Sequence, residues 1–198
     1  MKLKDVIKSV ENQDSNIIEK MISDEVIKRV LNALYKNDHN DLAEWNAFHS
    51  NIILSEIIKK LYETIESEWD EIDYVAALGA SGAPLAVGLS LVYRKDFIFV
   101  NDRWGITKKF QPIKPSEGIN IKEKKILVID SVLRTGLTAL NGINKIKEAH
   151  GIPKLMVIAL LADWIDESIY EDLKNIDFYY LFNWNKKVEE TALELNII

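Results

Sequence analysis

The spacing of apolar residues changes character near residue 73. Before that point they recur every three or four positions, as in Glu25 to Tyr35 and in the stripe Leu54, Ile57, Ile58, Leu61 and Ile65, which predicts amphipathic helices. Asp41-Leu-Ala-Glu44 has the form of a capping box ahead of the second helix, and Leu3 to Val10 reads as a further short one. After Asp73 the apolar residues gather into short runs: Tyr74 to Leu78, Phe97 to Val100, Ile126 to Ile129, Leu155 to Leu161 and Phe178 to Phe182. Helical spacing returns between or after them, in Pro84 to Tyr93, Leu137 to Ala149, Glu167 to Leu173 and Lys187 to Leu195. The aliphatic run Ile126 to Ile129 lacks polar alternation, as expected of a strand covered on both faces of a parallel sheet. The predicted fold is α/β, a doubly wound parallel five-stranded sheet in residues 71–198, with an N-terminal helical segment, residues 1–70, packing on it.

Ligands of such sheets bind at the carboxyl ends of the strands, so the residues following each run matter most. Asp130 is expected where the third run ends. Arg134, Thr135, Gly136, Leu137 and Thr138 then lead into a helix, whose first N–H groups and positive dipole end favour an anion. Gly136 permits a tight turn, and the two threonines add hydroxyl donors. The first run is followed by Gly79-Ala-Ser-Gly-Ala-Pro84, a turn of small residues in which Ala80, Ser81 and Gly82 would let backbone donors approach a second anion. Each of these turns, taken singly, is also compatible with an ordinary strand-to-helix connection.

Charge sharpens this picture. The chain of 198 residues carries a formal charge of −6, and residues 1–70 hold 9 Lys/Arg against 14 Asp/Glu, which argues against a nucleic-acid-binding head. The positive charge gathers instead in residues 101–125, with 7 Lys/Arg against 3 Asp/Glu, around a stretch of about twenty residues without periodicity. There are no cysteines, which removes disulfides and thiolate chemistry, and His39, His49 and His150 have no ligand spacing. The apolar stretch Leu155 to Ala162 is too short to span a membrane and the N-terminus has no signal-like core, so a cytoplasmic protein without membrane contact is expected.

The stretch ILVIDSVLRTGLT, residues 126–138, resembles the phosphoribosyl-diphosphate (PRPP) loop of the type I phosphoribosyltransferases: four apolar residues, two acids, two apolar residues and a Thr/Gly turn. Ser131 stands where that family normally has its second acid. The order of a small-residue loop, a long loop and then the PRPP loop agrees from about Asp73 to Ala162, and Pro115-Ser-Glu-Gly118 before IKEKKILVID looks most like the orotate branch.

The resemblance implies a transferase that moves ribose 5-phosphate from PRPP to a nucleobase and releases pyrophosphate, with Mg²⁺ as cofactor and a homodimer as the assembly. Asp130, with Ser131, would hold the ribose, Arg134 to Thr138 the 5-phosphate, and Ala80, Ser81 and Gly82 the pyrophosphate. Arg103, Lys108 and Lys109 would close over the leaving group as a catalytic lid. Asp163 and Trp164 would meet the base, with Phe182 or Trp184 nearby; orotate enzymes tend to have an arginine where this chain has Trp164. Mg²⁺ would be held through substrate and water. Two other readings stand beside it: a non-catalytic PRPP- or nucleotide-binding regulator on the same fold, and a helical partner-binding protein on an inherited scaffold.

Overall fold

The computed structural model describes residues 15–35, 50–100, 119–162, 168–173 and 175–196. The expected capping box, the helix at Leu3 to Val10 and nearly all of the long basic loop lie outside these residues. Three helices open the described chain: α1 (Ser15–Ile22), α2 (Glu25–Tyr35) and α3 (Asn51–Ile65), followed by a 3₁₀ turn at Glu66–Glu71. Helix α1 is absent from the sequence reading. The α/β part then runs β1 (Tyr74–Leu78), α4 (Gly79–Tyr93), β2 (Asp96–Val100), β3 (Lys125–Leu133), α5 (Leu137–Glu148), β4 (Ile152–Ala162), α6 (Ser168–Leu173), β5 (Asp177–Trp184) and α7 (Lys186–Glu194).

All five strands are parallel, in the order β2-β1-β3-β4-β5. The chain moves outward from β1 to β2, then crosses back to place β3 on the other side of β1. The switch in direction therefore falls between β1 and β3, where the carboxyl ends of an open sheet leave a crevice.

Both sheet faces are covered, which is why the strands read as unbroken apolar runs. On one face Val75, Ala77, Leu127, Ile129 and Val157 pack with α4, α7 and the N-terminal helices through Ile18, Ile22, Leu31, Ile57, Leu61 and Ile65. On the other, Ala76, Val128, Met156, Ile158 and Phe178 meet Ala139, Ile143 and Ile146 of α5 and Ile169 and Leu173 of α6. The described N-terminal helices thus spend their apolar faces on the sheet; Ile52 is the only exposed large hydrophobic among the described residues before residue 70.

Asp24 ties two of these helices together. Its Oδ1 accepts from the N–H groups of Val26 and Ile27 at 2.9 and 3.2 Å, capping α2, while Lys60 of α3 donates to Oδ2 at 2.9 Å. Partial burial pushes the Asp24 carboxyl upward, but the hydrogen bonds from Lys60 and the backbone outweigh it and hold the group below its ordinary value. A lowered carboxylate contributes stability above its unfolded pKa of about 3.9, and loses it as pH falls through the lower folded value. Asp24→Ala is therefore expected to lower stability by about 1 kcal/mol at pH 7, the usual worth of a helix cap, and by little near pH 2. Urea melts of both proteins at the two pH values check this; an equal loss at pH 2 would refute it.

Candidate functional site

Strand β1 and strand β3 part company at Asp130. Their pairing runs as far as Ala77 with Ile129, yet β3 continues for four more residues, held by β4 alone: Asp130 opposite Ile158, Val132 opposite Leu160 and Leu133 opposite Leu161. This corrects the expectation that Asp130 ends its strand. Hydrogen bonding to β4 carries the extended backbone through the polar pair, so Asp130 and Ser131 lie inside a strand and are both buried.

The space beside them is taken by the first turn of α4. The small-residue stretch Gly79 to Pro84, expected as a turn before the helix, is already helical and begins directly after Leu78. It packs without side-chain bulk: a Cβ on Gly82 would lie 2.6 Å from the carbonyl oxygen of Ile129 and 3.3 Å from Cα of Asp130. Ser81 Oγ donates to Asp130 Oδ1 at 3.2 Å, and the Ser131 N–H donates to the same oxygen at 2.8 Å. Pro84 has no N–H to give, so the carbonyl of Ala80 receives no helical bond from it.

Both helices that start at this crevice lack a side-chain cap. Leu78 precedes α4 and Gly136 precedes α5, and neither supplies a side-chain oxygen to the first turn. Gly136 stands at φ +81°, a left-handed conformation that a β-carbon would strain. Thr135 Oγ1 accepts from the Leu137 N–H at a long 3.5 Å. First-turn N–H groups, that of Leu137 held only by the long bond to Thr135, and the positive ends of two helix dipoles thus flank one buried aspartate.

Of the residues singled out in the sequence, the fold gathers Ala80, Ser81, Gly82, Asp130, Ser131, Arg134, Thr135, Gly136, Leu137 and Thr138 onto the ends of β1 and β3. Thr135 and Leu137 are exposed, Arg134 and Thr138 half-buried. Arg103, Lys108, Lys109, Asp163 and Trp164 lie outside the described residues. Among the described residues two buried side-chain polar groups have no hydrogen-bond partner, the Ser131 hydroxyl and the Asn183 carboxamide. Asn183 escaped the sequence reading; its one signal is a lone amide in the aromatic strand DFYYLFNW.

A parallel sheet with this strand order and this crevice defines the chain as a doubly wound α/β protein. More narrowly, its fold is that of the type I phosphoribosyltransferases. The orotate phosphoribosyltransferase of Aeropyrum pernix superposes with a TM-score of 0.62 at 15% identity, over 78% of this chain and 82% of that one. The adenine phosphoribosyltransferase of Leishmania tarentolae does so with a TM-score of 0.63 at 18% identity, over 84% and 90%. In sequence, the chain is 26% identical over 144 residues to the orotate phosphoribosyltransferase of Listeria innocua, covering 72% of this chain and 66% of that one. It is 30% identical over 101 residues to the transcriptional regulator GfcR of Methanosarcina mazei, covering 48% of each. The chain therefore spans between about half and two-thirds of the length of these curated relatives. No family model matches it. The resemblance to the type I phosphoribosyltransferases read from the PRPP loop is thereby shown, in sequence by an enzyme of that kind and in fold by two others.

Proposed function

We propose that the chain is a phosphoribosyltransferase that binds PRPP across the crevice between β1 and β3 and transfers its ribose 5-phosphate to a nucleobase, releasing pyrophosphate. The observation that carries this reading is the pair of helix N-termini, entered through Leu78 and Gly136 without an N-cap side chain, on either side of buried Asp130. PRPP has two anionic ends separated by a ribose, and the crevice has two anion-favouring turns separated by a carboxylate. The first turn of α5 with Thr135 and Thr138 receives the 5-phosphate, α4 at Ala80 to Gly82 receives the pyrophosphate, and Asp130 accepts from the ribose hydroxyls between them. Arg134 adds positive charge beside the 5-phosphate.

Breaking the C1–pyrophosphate bond places positive charge on the sugar and negative charge on the leaving group. The dipole and N–H groups of α4 stabilise the second, and the fixed position of Asp130 orients the first for attack by a ring nitrogen. Magnesium fits as an ion carried by substrate oxygens and water. Among the described residues no group of three or more acidic, histidine or cysteine side chains forms a cage, and Mg²⁺ commonly uses one or two carboxylates plus phosphates. Bound there, it would neutralise charge on the departing pyrophosphate. Arg103, Lys108 and Lys109 are assigned the lid role, and Asp163 and Trp164 the base, on the resemblance alone.

Incubation of the chain with PRPP, Mg²⁺ and each of adenine, hypoxanthine, guanine, xanthine, uracil and orotate tests the reading. Nucleotide and pyrophosphate should appear with at least one base; silence with all six would end it. A second reading, a regulator that binds PRPP or a nucleotide without turnover, is favoured by Ser131 and by the similarity to a transcriptional regulator. It predicts a calorimetric signal for those ligands and no product.

Ser131 also yields a direct prediction. Its hydroxyl is buried and has no hydrogen-bond partner, so the position is polar without a charge. Ser131→Asp restores the acid and is expected to tighten PRPP binding about tenfold, the worth of one charge-assisted hydrogen bond near 1.5 kcal/mol. Isothermal titration with PRPP and Mg²⁺ measures it, and an unchanged or weaker affinity would exclude a ribose contact at this position.

A cytoplasmic location and a homodimer belong to the same proposal. Among the described residues no helix is long and apolar enough to cross a membrane. Val87, Leu91 and Val92 of α4 and Phe99 of the edge strand β2 are exposed apolar side chains that a second copy would cover.

A further inference from the structure

The only buried side-chain polar atoms without partners among the described residues are the Ser131 Oγ and both polar atoms of Asn183, and all three lie at one end of the sheet. Asn183 is wholly buried, one residue before the carboxyl end of β5. Leu133, Leu161 and Asn183 share one row across β3, β4 and β5, so Asn183 stands two strand spacings, about 10 Å, from the residue that precedes the phosphate turn. A ribose 5-phosphate carrying a ring base bridges such a distance. Folded proteins satisfy nearly all buried polar groups, and an exception calls for a water, an ion or a ligand.

Resting on the PRPP-site reading, we infer that Asn183 is a specificity residue for the base and selects a neutral ring edge bearing a donor and an acceptor side by side. A carboxamide offers N–H and C=O together, which pairs twice with an amide-like or amidine-like edge. A carboxylate group itself offers acceptors alone and would leave Oδ1 facing negative charge, so a base that carries one can meet Asn183 only through its amide-like ring edge. Asn183 is closed to solvent, so a base reaches it with local repacking at the strand ends, which the two unmade hydrogen bonds favour. Any base with such an edge qualifies, orotate included, the base named in two of the chain's sequence relatives.

Calorimetric titration of the full chain tests it, using ribose 5-phosphate and the 5′-monophosphates of adenosine, inosine, uridine and orotidine. At least one of these nucleotides should bind about tenfold or more tighter than ribose 5-phosphate. Asn183→Leu should erase that preference, leave ribose 5-phosphate affinity unchanged and raise the melting temperature, because an orphan amide is replaced by an apolar chain of similar size. Asn183→Asp, of the same shape, should erase the preference as well if the leucine variant fails to fold. A preference that survives the variants overturns the role of Asn183 while leaving the PRPP reading intact, as does equal affinity for ribose 5-phosphate and every nucleotide. Absence of binding by every phosphorylated ligand overturns both.

Discussion

Asp130→Ala is expected to lower PRPP affinity, and with it PRPP-dependent turnover, about a hundredfold. The carboxylate lies at the meeting point of the two anion turns, where Oδ1 already accepts from Ser81 Oγ and from the Ser131 N–H. Those bonds fix its orientation before any ligand arrives, so little ordering entropy is lost when it takes ribose hydroxyls. Two charge-assisted hydrogen bonds at about 1.5 kcal/mol each give the factor of one hundred. Asp130→Asn separates charge from shape: an amide oxygen can keep both internal bonds, so the fold should survive with a melting temperature close to the parent while affinity falls about tenfold. Titration with PRPP and Mg²⁺ measures both. Parent-like affinity in the asparagine variant would show that the charge of Asp130 plays no part in the sugar site.

Gly82→Ala is expected to cost stability and ligand affinity together. The added carbon would meet the carbonyl oxygen of Ile129 at 2.6 Å, and that oxygen belongs to the backbone of a central strand, which cannot step aside as a flexible side chain would. Relief requires α4 to move away from β3, at about 1–3 kcal/mol for an overpacked interior contact. For a chain of this size the melting temperature should drop by several degrees. The same displacement parts Ser81 from Asp130, so PRPP affinity should fall by more than in Ser81→Ala, which removes the hydroxyl and leaves the helix seated. Thermal melts and PRPP titrations of the two variants separate these contributions; an alanine at 82 that leaves both unchanged would contradict the close packing.

The parts legible in the sequence are those whose cause is local. Ile126 to Ile129 reads as a doubly covered strand because every residue must be apolar when both faces are buried, and Glu25 to Tyr35 reads as a helix because one face must be. The five strands lie where the apolar runs predict, and the polar residues around the PRPP-loop resemblance do assemble at strand ends. Helix α1 escaped because eight residues are too few for a secure periodic signal; Ile18 and Ile22 hold it in the cluster shared with α2, α3 and the sheet. The start of α4 was misplaced because glycine, serine and proline are turn residues by propensity, whereas packing against β3 demands small residues in a helix here. Asn183 was hidden among aromatics because an orphan amide is defined by what surrounds it.

By itself the sequence determined the class of fold, the position of each strand and which residue types lead out of them, since burial periodicity and turn chemistry act over a few neighbours. Only the tertiary structure decided that β1 stops while β3 runs on beside it, that α4 fills the gap through Gly82, and that two helix N-termini without N-cap side chains face one buried carboxylate. Strand order, register and the satisfaction of buried polar atoms depend on contacts between residues distant in the chain, and no local pattern encodes them.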